Sequence, residues 1–331
     1  MKRLILIVVS LLLIGFVTFY FWGSSANLST DTYDQFRQYG GFGKEYAKGD
    51  TLRVMTYNLG YLSGMTNNEP VQTDQAFYDR NLQRTISLIR SIDPDLIGFQ
   101  EIDFEARRSY DVQQADAIGI AGEFTDGFHS VNWDKRYVPF PYGLPKYHFG
   151  KVISGQSILS KSTLTQQRHL TLPRPVNTPF YYNAFYIDRL VQVADWIVGM
   201  DTIKVMNLHL EAFDQETRLI HARQVRELYE RYYLSMPVLI LGDFNSRPAE
   251  VEEDAMTIIM EAPDIASAVY GEQYESDSSA YFTYSSVEPV RMIDYVLYNS
   301  NFIERINSRV LSEAGDISDH LPLLFEFVLK E

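Results

Sequence analysis

The chain has 331 residues, 46% hydrophobic and 22% charged, which describes a globular protein of one large domain or two ordinary ones. Its formal net charge of −14 argues against a non-specific grip on nucleic acid or an anionic membrane through the whole-protein field, although it leaves room for a local basic patch. The absence of cysteine excludes disulfides, thiolate metal sites and a cysteine nucleophile.

Lys2 and Arg3 precede an uncharged apolar run from Leu4 to Trp22. As a helix it rises about 28 Å, close to a hydrocarbon core. Tyr20 and Trp22 suit an aromatic belt, and the leading cations place the N-terminus on the cytoplasmic side with the bulk of the chain exported. A cleaved signal peptide is the alternative, with Ser24-Ser25-Ala26 as its small-residue site. We therefore divide the chain into an anchor or signal segment (1–22), a linker without period (23–50) and a catalytic domain (51–331).

In the domain, residues 51–58 form a first strand ending at Asn58. Leu82, Ile86 and Ile89 mark an amphipathic helix over 78–91, closed by Asp93-Pro94. Residues 95–101 form a second strand that delivers Gln100-Glu101. A carboxylate at a buried strand end needs a partner, and a divalent cation or a salt bridge would serve. A helix is expected over 109–121, then a long surface segment over 122–150, rich in aromatics, Pro and Gly. Residues 157–160 form a short strand. Two more, 190–199 and 203–210, flank a turn at Met200-Asp201, and the second carries Asn207 and His209. A helix covers 214–233. The apolar run Val238–Leu241 ends in Gly242-Asp243-Phe244-Asn245, where the glycine lets the backbone turn or approach a ligand. Asp243 and Asn245 suit either a site at a sheet edge or an Asx-turn bonded to its own backbone. A helical stretch opens at Pro248 and runs to Glu261, a strand over 292–298 holds Asp294, and a final strand over 323–329 follows Asp319-His320. Loose alternation with hairpin-like pairs fits two packed mixed sheets flanked by helices.

Six strand ends therefore carry Asn58, Glu101, His209, Asp243 with Asn245, Asp294, and Asp319 with His320. In this order they resemble the endonuclease/exonuclease/phosphatase superfamily, which includes deoxyribonucleases, neutral sphingomyelinases and inositol polyphosphate phosphatases. The resemblance rests on Thr56-Tyr57-Asn58, Gln100-Glu101, Asn207-Leu208-His209-Leu210, Gly242-Asp243-Phe244-Asn245, Ile293-Asp294-Tyr295 and Ser318-Asp319-His320. It implies an α/β fold, a four-layer α/β-sandwich with its site at one end of the sheets. It also implies Mg²⁺, with Mn²⁺ as the alternative ion, at Glu101 with Asn58 and Asp319 nearby. Asp243 would act on the attacking water, Asn245 and His320 on the phosphate, Asp294 on His320, and His209 on the phosphate or leaving group. The number of ions and the division of acid and base roles stay open.

Two features bear on substrate. Where pancreatic-type nucleases carry an arginine two residues after the glutamate, this chain has Asp103, with Arg107-Arg108 following either as a basic patch or as a solvated helix start. Residues 131–150 mix aromatics with cations and could stack bases or sit at a lipid interface. With the apolar N-terminus, these favour an exported, membrane-tethered hydrolase of a small or lipid-borne phosphoester. A secreted or periplasmic nuclease is the rival, and a non-catalytic phosphate-binding protein is a third class.

Overall fold

The computed structural model describes residues 1–41, 43–246, 253–269, 274 and 276–330. One sheet has seven strands in the order β1 (Asp34–Gln38), β4 (Asp126–Val138), β5 (Gly150–Ser160), β3 (Leu96–Asp103), β2 (Leu52–Asn58), β13 (Leu323–Leu329) and β12 (Ile303–Val310). The other has six, in the order β10 (Ile265–Ser267), β11 (Asp294–Asn299), β9 (Val238–Asp243), β8 (Asp201–His209), β7 (Leu190–Val198) and β6 (Leu164–Thr171). Both are mixed: β2 with β3 and β8 with β9 run parallel, their neighbours antiparallel.

Strand alternation builds the layers. Leu52 and Val54 of β2 join Phe128, Ile158 and Phe325 against Trp196, Val205 and Leu241 of the second sheet. Met55 and Tyr57 point the other way and pack with Ile86 and Ile89 of α2 (Gln75–Ile92) and Ile118 of α3 (Gln114–Ala121). A short helix, α4 (Phe180–Asn183), lies in the loop before β7. Helices α5 (Gln215–Glu230) and α6 (Ala255–Met260) cover the outer face of the second sheet through Ala222, Val225, Met256 and Ile259. The result is a four-layer α/β-sandwich. Asp74 and Asp214 cap α2 and α5 by accepting the amides of Phe77 and Thr217.

A polar knot ties the sheets together near one end. Asn207 of β8 donates to Phe99 O (3.1 Å), Ser157 O (3.3 Å) and Gln192 Oε1 (2.8 Å), and accepts from Gln100 Nε2 (2.6 Å). All four partners are fully buried. Replacing Asn207 with leucine strands these groups, so Asn207→Leu should lose about 2–4 kcal/mol in urea unfolding. A loss within about 0.5 kcal/mol, the level of an ordinary surface change, would show that the knot has no stabilising role.

Three sequence expectations need correction. Residues 122–150 are not a surface segment: β4 lies within the sheet and is buried over most of its length. Its buried residues His129, Ser130, Asn132 and Asp134 hide the strand pattern. Three of them are matched to polar partners: His129 to Ser157 (2.8 Å), Ser130 to Asp34 (2.7 Å) and Asp134 to the Asn27 and Leu28 amides (both 2.8 Å). Residues 23–50 are not a free linker, because β1 pairs with β4 from Asp34↔Ser130 to Gln38↔Asp126, and Lys44 reaches buried Asp95 at 2.5 Å. Gly242 serves strand packing, not a ligand: at φ 149° it faces Leu208, whose carbonyl oxygen would lie 1.9 Å from an added Cβ. The helix expected from Pro248 is observed at Ala255–Met260, and residues 247–252 lie outside the described residues.

Candidate active site

The strands β2, β3, β8 and β9 end on the same side of the sandwich, and β11 begins there opposite Asp243. All eight residues singled out in the sequence are delivered to this end. Two groups form, joined through Asn58 and Asp243.

The first group is acidic and made of oxygen donors. A register shift in β3 between Phe99 and Ile102 and a left-handed backbone at Glu101 (φ 48°) re-aim the glutamate out of the strand. Glu101 Oε2 accepts from Asn67 Nδ2 at 3.0 Å, and the same nitrogen lies 3.5 Å from both carboxylate oxygens of Asp319. Burial and the Asp319 charge raise the Glu101 pKa. Asn67 Oδ1 is buried without a hydrogen-bond partner. Two carboxylates that meet at one amide nitrogen repel each other, and a hard cation between them would relieve that repulsion. Asn58 Oδ1 takes the Gly60 amide at 3.1 Å, while its Nδ2 donates to Asp243 Oδ2 at 2.9 Å.

The second group is built on Asp243. Its Oδ1 accepts the Asn245 amide at 2.9 Å, so the Asx-turn exists, and Asn245 sits at φ 48° with Nδ2 donating to Leu210 O at 3.2 Å. Turn and site are one structure. Burial and Asp294 push the Asp243 carboxyl up to about 7. His320 Nδ1 lies 2.8 Å from Asp294 Oδ2, and its Nε2 lies 3.9 Å from Asp243 Oδ2. Burial alone would lower the His320 pKa, but Asp294, Asp243 and Asp319 outweigh it and hold the imidazole well above its ordinary range. His209 is the opposite case: burial, Arg189 and His320 drive it well below, so it is neutral. Its Nε2 accepts from Arg189 Nη1 at 2.6 Å and stands 3.4 Å from Asp243 Oδ2. Asp243, Asp294 and His320 could themselves ligate an ion, since their ligand atoms lie within 4.8 Å of one another. In that group His320 Nδ1 is already bonded to Asp294, whereas the oxygen group offers carboxylates of the kind a hard cation takes.

Asn67 and Arg189 were missed by sequence reasoning. Asn67 lies in a turn-rich loop with no period, and Arg189 stands immediately before β7. Arg189 is buried and faces Glu211 at 3.8 Å, an unusual commitment for two charges beside a neutral histidine. Arg108, in turn, is neither basic patch nor solvated helix start. Its side chain is buried, donates to both oxygens of Asp103 (2.7 and 3.0 Å) and lies over the Tyr61 ring at 3.4 Å.

A two-sheet sandwich with carboxylates, amides and a carboxylate–histidine pair at one sheet end is the arrangement that the sequence resemblance implies. Residues 55–320 match the sequence profile of the Endonuclease/Exonuclease/phosphatase family, and the chain belongs to that family. Its members hydrolyse phosphoesters and commonly use divalent metals. Among solved structures, the chain is similar to an endonuclease/exonuclease/phosphatase from Beutenbergia cavernae (17% identity, 84% of this chain and 72% of that one, TM-score 0.63). It is also similar to the catalytic domain of human Nocturnin with a bound sulfate (15%, 92% and 100%, TM-score 0.57) and to a mannosyl-6-phosphatase from Bacteroides thetaiotaomicron (16%, 84% and 99%, TM-score 0.53). A comparison with curated proteins finds no match.

Proposed function

We propose that this protein is an exported, membrane-tethered, Mg²⁺- or Mn²⁺-dependent hydrolase of a small or lipid-borne phosphoester. The observation that carries the reading is the division of the site into an all-oxygen acidic group and a carboxylate–imidazolium pair, with Asp243 between them. Glu101, Asp319, Asn58 and Asn67 would hold the cation, which supplies charge neutralisation at the phosphoryl oxygens. Asp243, with a carboxyl titrating near neutrality, orients the attacking water and takes its proton. The His320 imidazolium, fixed by Asp294, offers Nε2 to a phosphoryl oxygen. Asn245 Nδ2, with one hydrogen left beyond its bond to Leu210 O, offers it to the same oxygens, and Arg189 adds a fixed positive charge behind His209. Capture of Arg108 by Asp103 removes the cation best placed to follow a nucleic-acid backbone, and this supports a compact or lipid-borne substrate. The helix α1 (Lys2–Ser24), long and apolar enough to cross a membrane, supports the tether.

The test is a panel of bis(p-nitrophenyl) phosphate, p-nitrophenyl phosphate, phospholipid vesicles and plasmid DNA, each with Mg²⁺, Mn²⁺, Ca²⁺ or EDTA. Phosphoester turnover that EDTA abolishes and Mg²⁺ or Mn²⁺ restores is expected. Turnover that survives chelation refutes the metal requirement, and plasmid nicking with no other activity makes the protein a nuclease.

A further inference from the structure

The transmembrane-length helix does not hang from the domain by a tether. Residues 1–18 of α1 are exposed, but its last turn is docked. Gly23 is buried so closely that an added Cβ would lie 3.2 Å from Tyr137 O. Phe19 and Trp22 meet the Tyr137 ring (centroids 5.6 and 6.2 Å), Tyr20 meets Phe180 and Phe185 (both 6.0 Å), Lys135 Nζ donates to Ser24 O, and the Arg136 amide donates to Ser25 O. These contacts are with the last residues of β4 and the loop before β7. Both lie at the end of the sandwich that carries the active site.

The same end bears a rim of exposed apolar side chains. Phe180, in contact with Tyr20, is 75% exposed; Tyr181 next to it is exposed, as are Tyr142 and Leu144 in the loop after β4; and Phe213, four residues beyond His209, is 81% exposed. The two loops are held to each other, since Phe140 and Ile187 pack on the same cluster of Tyr61, Trp133 and Phe149. Residues 135–150 carry Lys135, Arg136 and Lys146 and no carboxylate, whereas Arg174 of the second loop is paired with Asp188. From this rim a continuous path leads into the site: Tyr182 on Tyr186 (5.1 Å), Tyr186 Oη on Glu211 (2.6 Å), Glu211 facing Arg189, and Arg189 on His209.

We infer that the docked helix holds the active-site mouth against the bilayer, with the aromatic rim in the headgroup region, and that the enzyme takes a lipid-borne phosphoester directly from the membrane plane. Exposed aromatics beside the cations of residues 135–150 match an anionic lipid–water interface, and contact with the end of a spanning helix sets them at its depth. The inference rests on the phosphohydrolase reading above and adds its orientation and substrate source.

The chain has no cysteine, so single sites can be labelled cleanly. Phe180→Cys and, as control, Met200→Cys, which is fully exposed at the β7–β8 turn on the far end of the sandwich, are labelled with an environment-sensitive fluorophore. The full chain is reconstituted in vesicles of phosphatidylcholine, phosphatidylglycerol and sphingomyelin. Quenching by shallow spin-labelled lipid at 180 but not at 200 is expected, together with hydrolysis of a vesicle lipid. In a separate Phe180→Ser/Tyr181→Ser chain, the ratio of lipid to bis(p-nitrophenyl) phosphate turnover should fall on the order of tenfold. Equal quenching at the two sites, or soluble-probe turnover without hydrolysis of any vesicle lipid, overturns the inference and leaves the phosphohydrolase reading standing. Wild-type protein inactive on the soluble probe as well would refute that reading instead.

Discussion

Asp294→Asn should lower kcat on the order of 10²- to 10⁴-fold, the span of orienting and acid–base effects, with the fold and metal affinity nearly unchanged. Asp294 Oδ2 lies 2.8 Å from His320 Nδ1, both are buried, and Asp294 is the foremost charge raising the imidazole pKa. Asparagine preserves the shape but removes that charge. Its amide nitrogen can also donate to Nδ1, which leaves the proton-bearing tautomer wrong for the substrate. A neutral His320 would then face Asp243 and the phosphoryl oxygens without a positive charge. His320→Ala should be as severe, and the double variant little worse than either single one, because the two act as a unit. Calorimetric titration with Mn²⁺ separates this from damage to the cation group. A normal kcat in Asp294→Asn, or losses that simply multiply in the double variant, would make Asp294 a structural carboxylate.

Glu101→Gln should abolish most turnover at ordinary Mg²⁺, with partial recovery at high metal, and should move stability in the opposite direction. Burial and Asp319 raise the Glu101 pKa, so its charged form is unfavourable in the metal-free protein. Removing that charge should stabilise the metal-free fold. The wild type, in turn, should gain roughly 2.7 kcal/mol at a metal concentration 100-fold above Kd, and the variant far less. Thermal melts with and without Mg²⁺ read both effects. A variant that is less stable than wild type without metal, or that gains as much from Mg²⁺, would remove Glu101 from the cation site. The crossing of the two curves is a signature of a site whose strain is relieved by its ligand.

The legible part of this protein was the part where chemistry interrupts a pattern. Asn58, Glu101, His209, Asp243 and Asp294 each punctuate a short apolar strand, and a polar side chain at such a point is visible against its neighbours. The sandwich followed from the same strands and from the amphipathic α2 and α5. Buried polar structure was illegible. β4 looks like a loop because its buried serine, asparagine, aspartate and histidine are satisfied by partners distant in the chain. Strand β1 is five residues long, with only Phe36 apolar, and exists because β4 offers it an edge. Asn67 shows no sequence signal, since its meaning comes from two carboxylates 34 and 252 residues away. Arg189 would have been found by asking what charge a histidine at the end of β8 meets from the adjacent strand.

The place of β13 in the first sheet has a consequence for timing. It is the last strand in the chain, yet it lies inside the sheet, paired on one side with the first strand of the catalytic core from Phe327↔Leu52 to Leu323↔Thr56, and on the other with β12. Asp319 and His320 stand just before it, and Asn58 stands at the end of its partner. Until β13 is in place β2 is a sheet edge and β12, which pairs with β13 alone, has no strand to join, so neither group of the candidate site is complete. Such long-range pairing is slow to form. Asp319 and His320 are thus brought to Asn58 only when β13 pairs with β2.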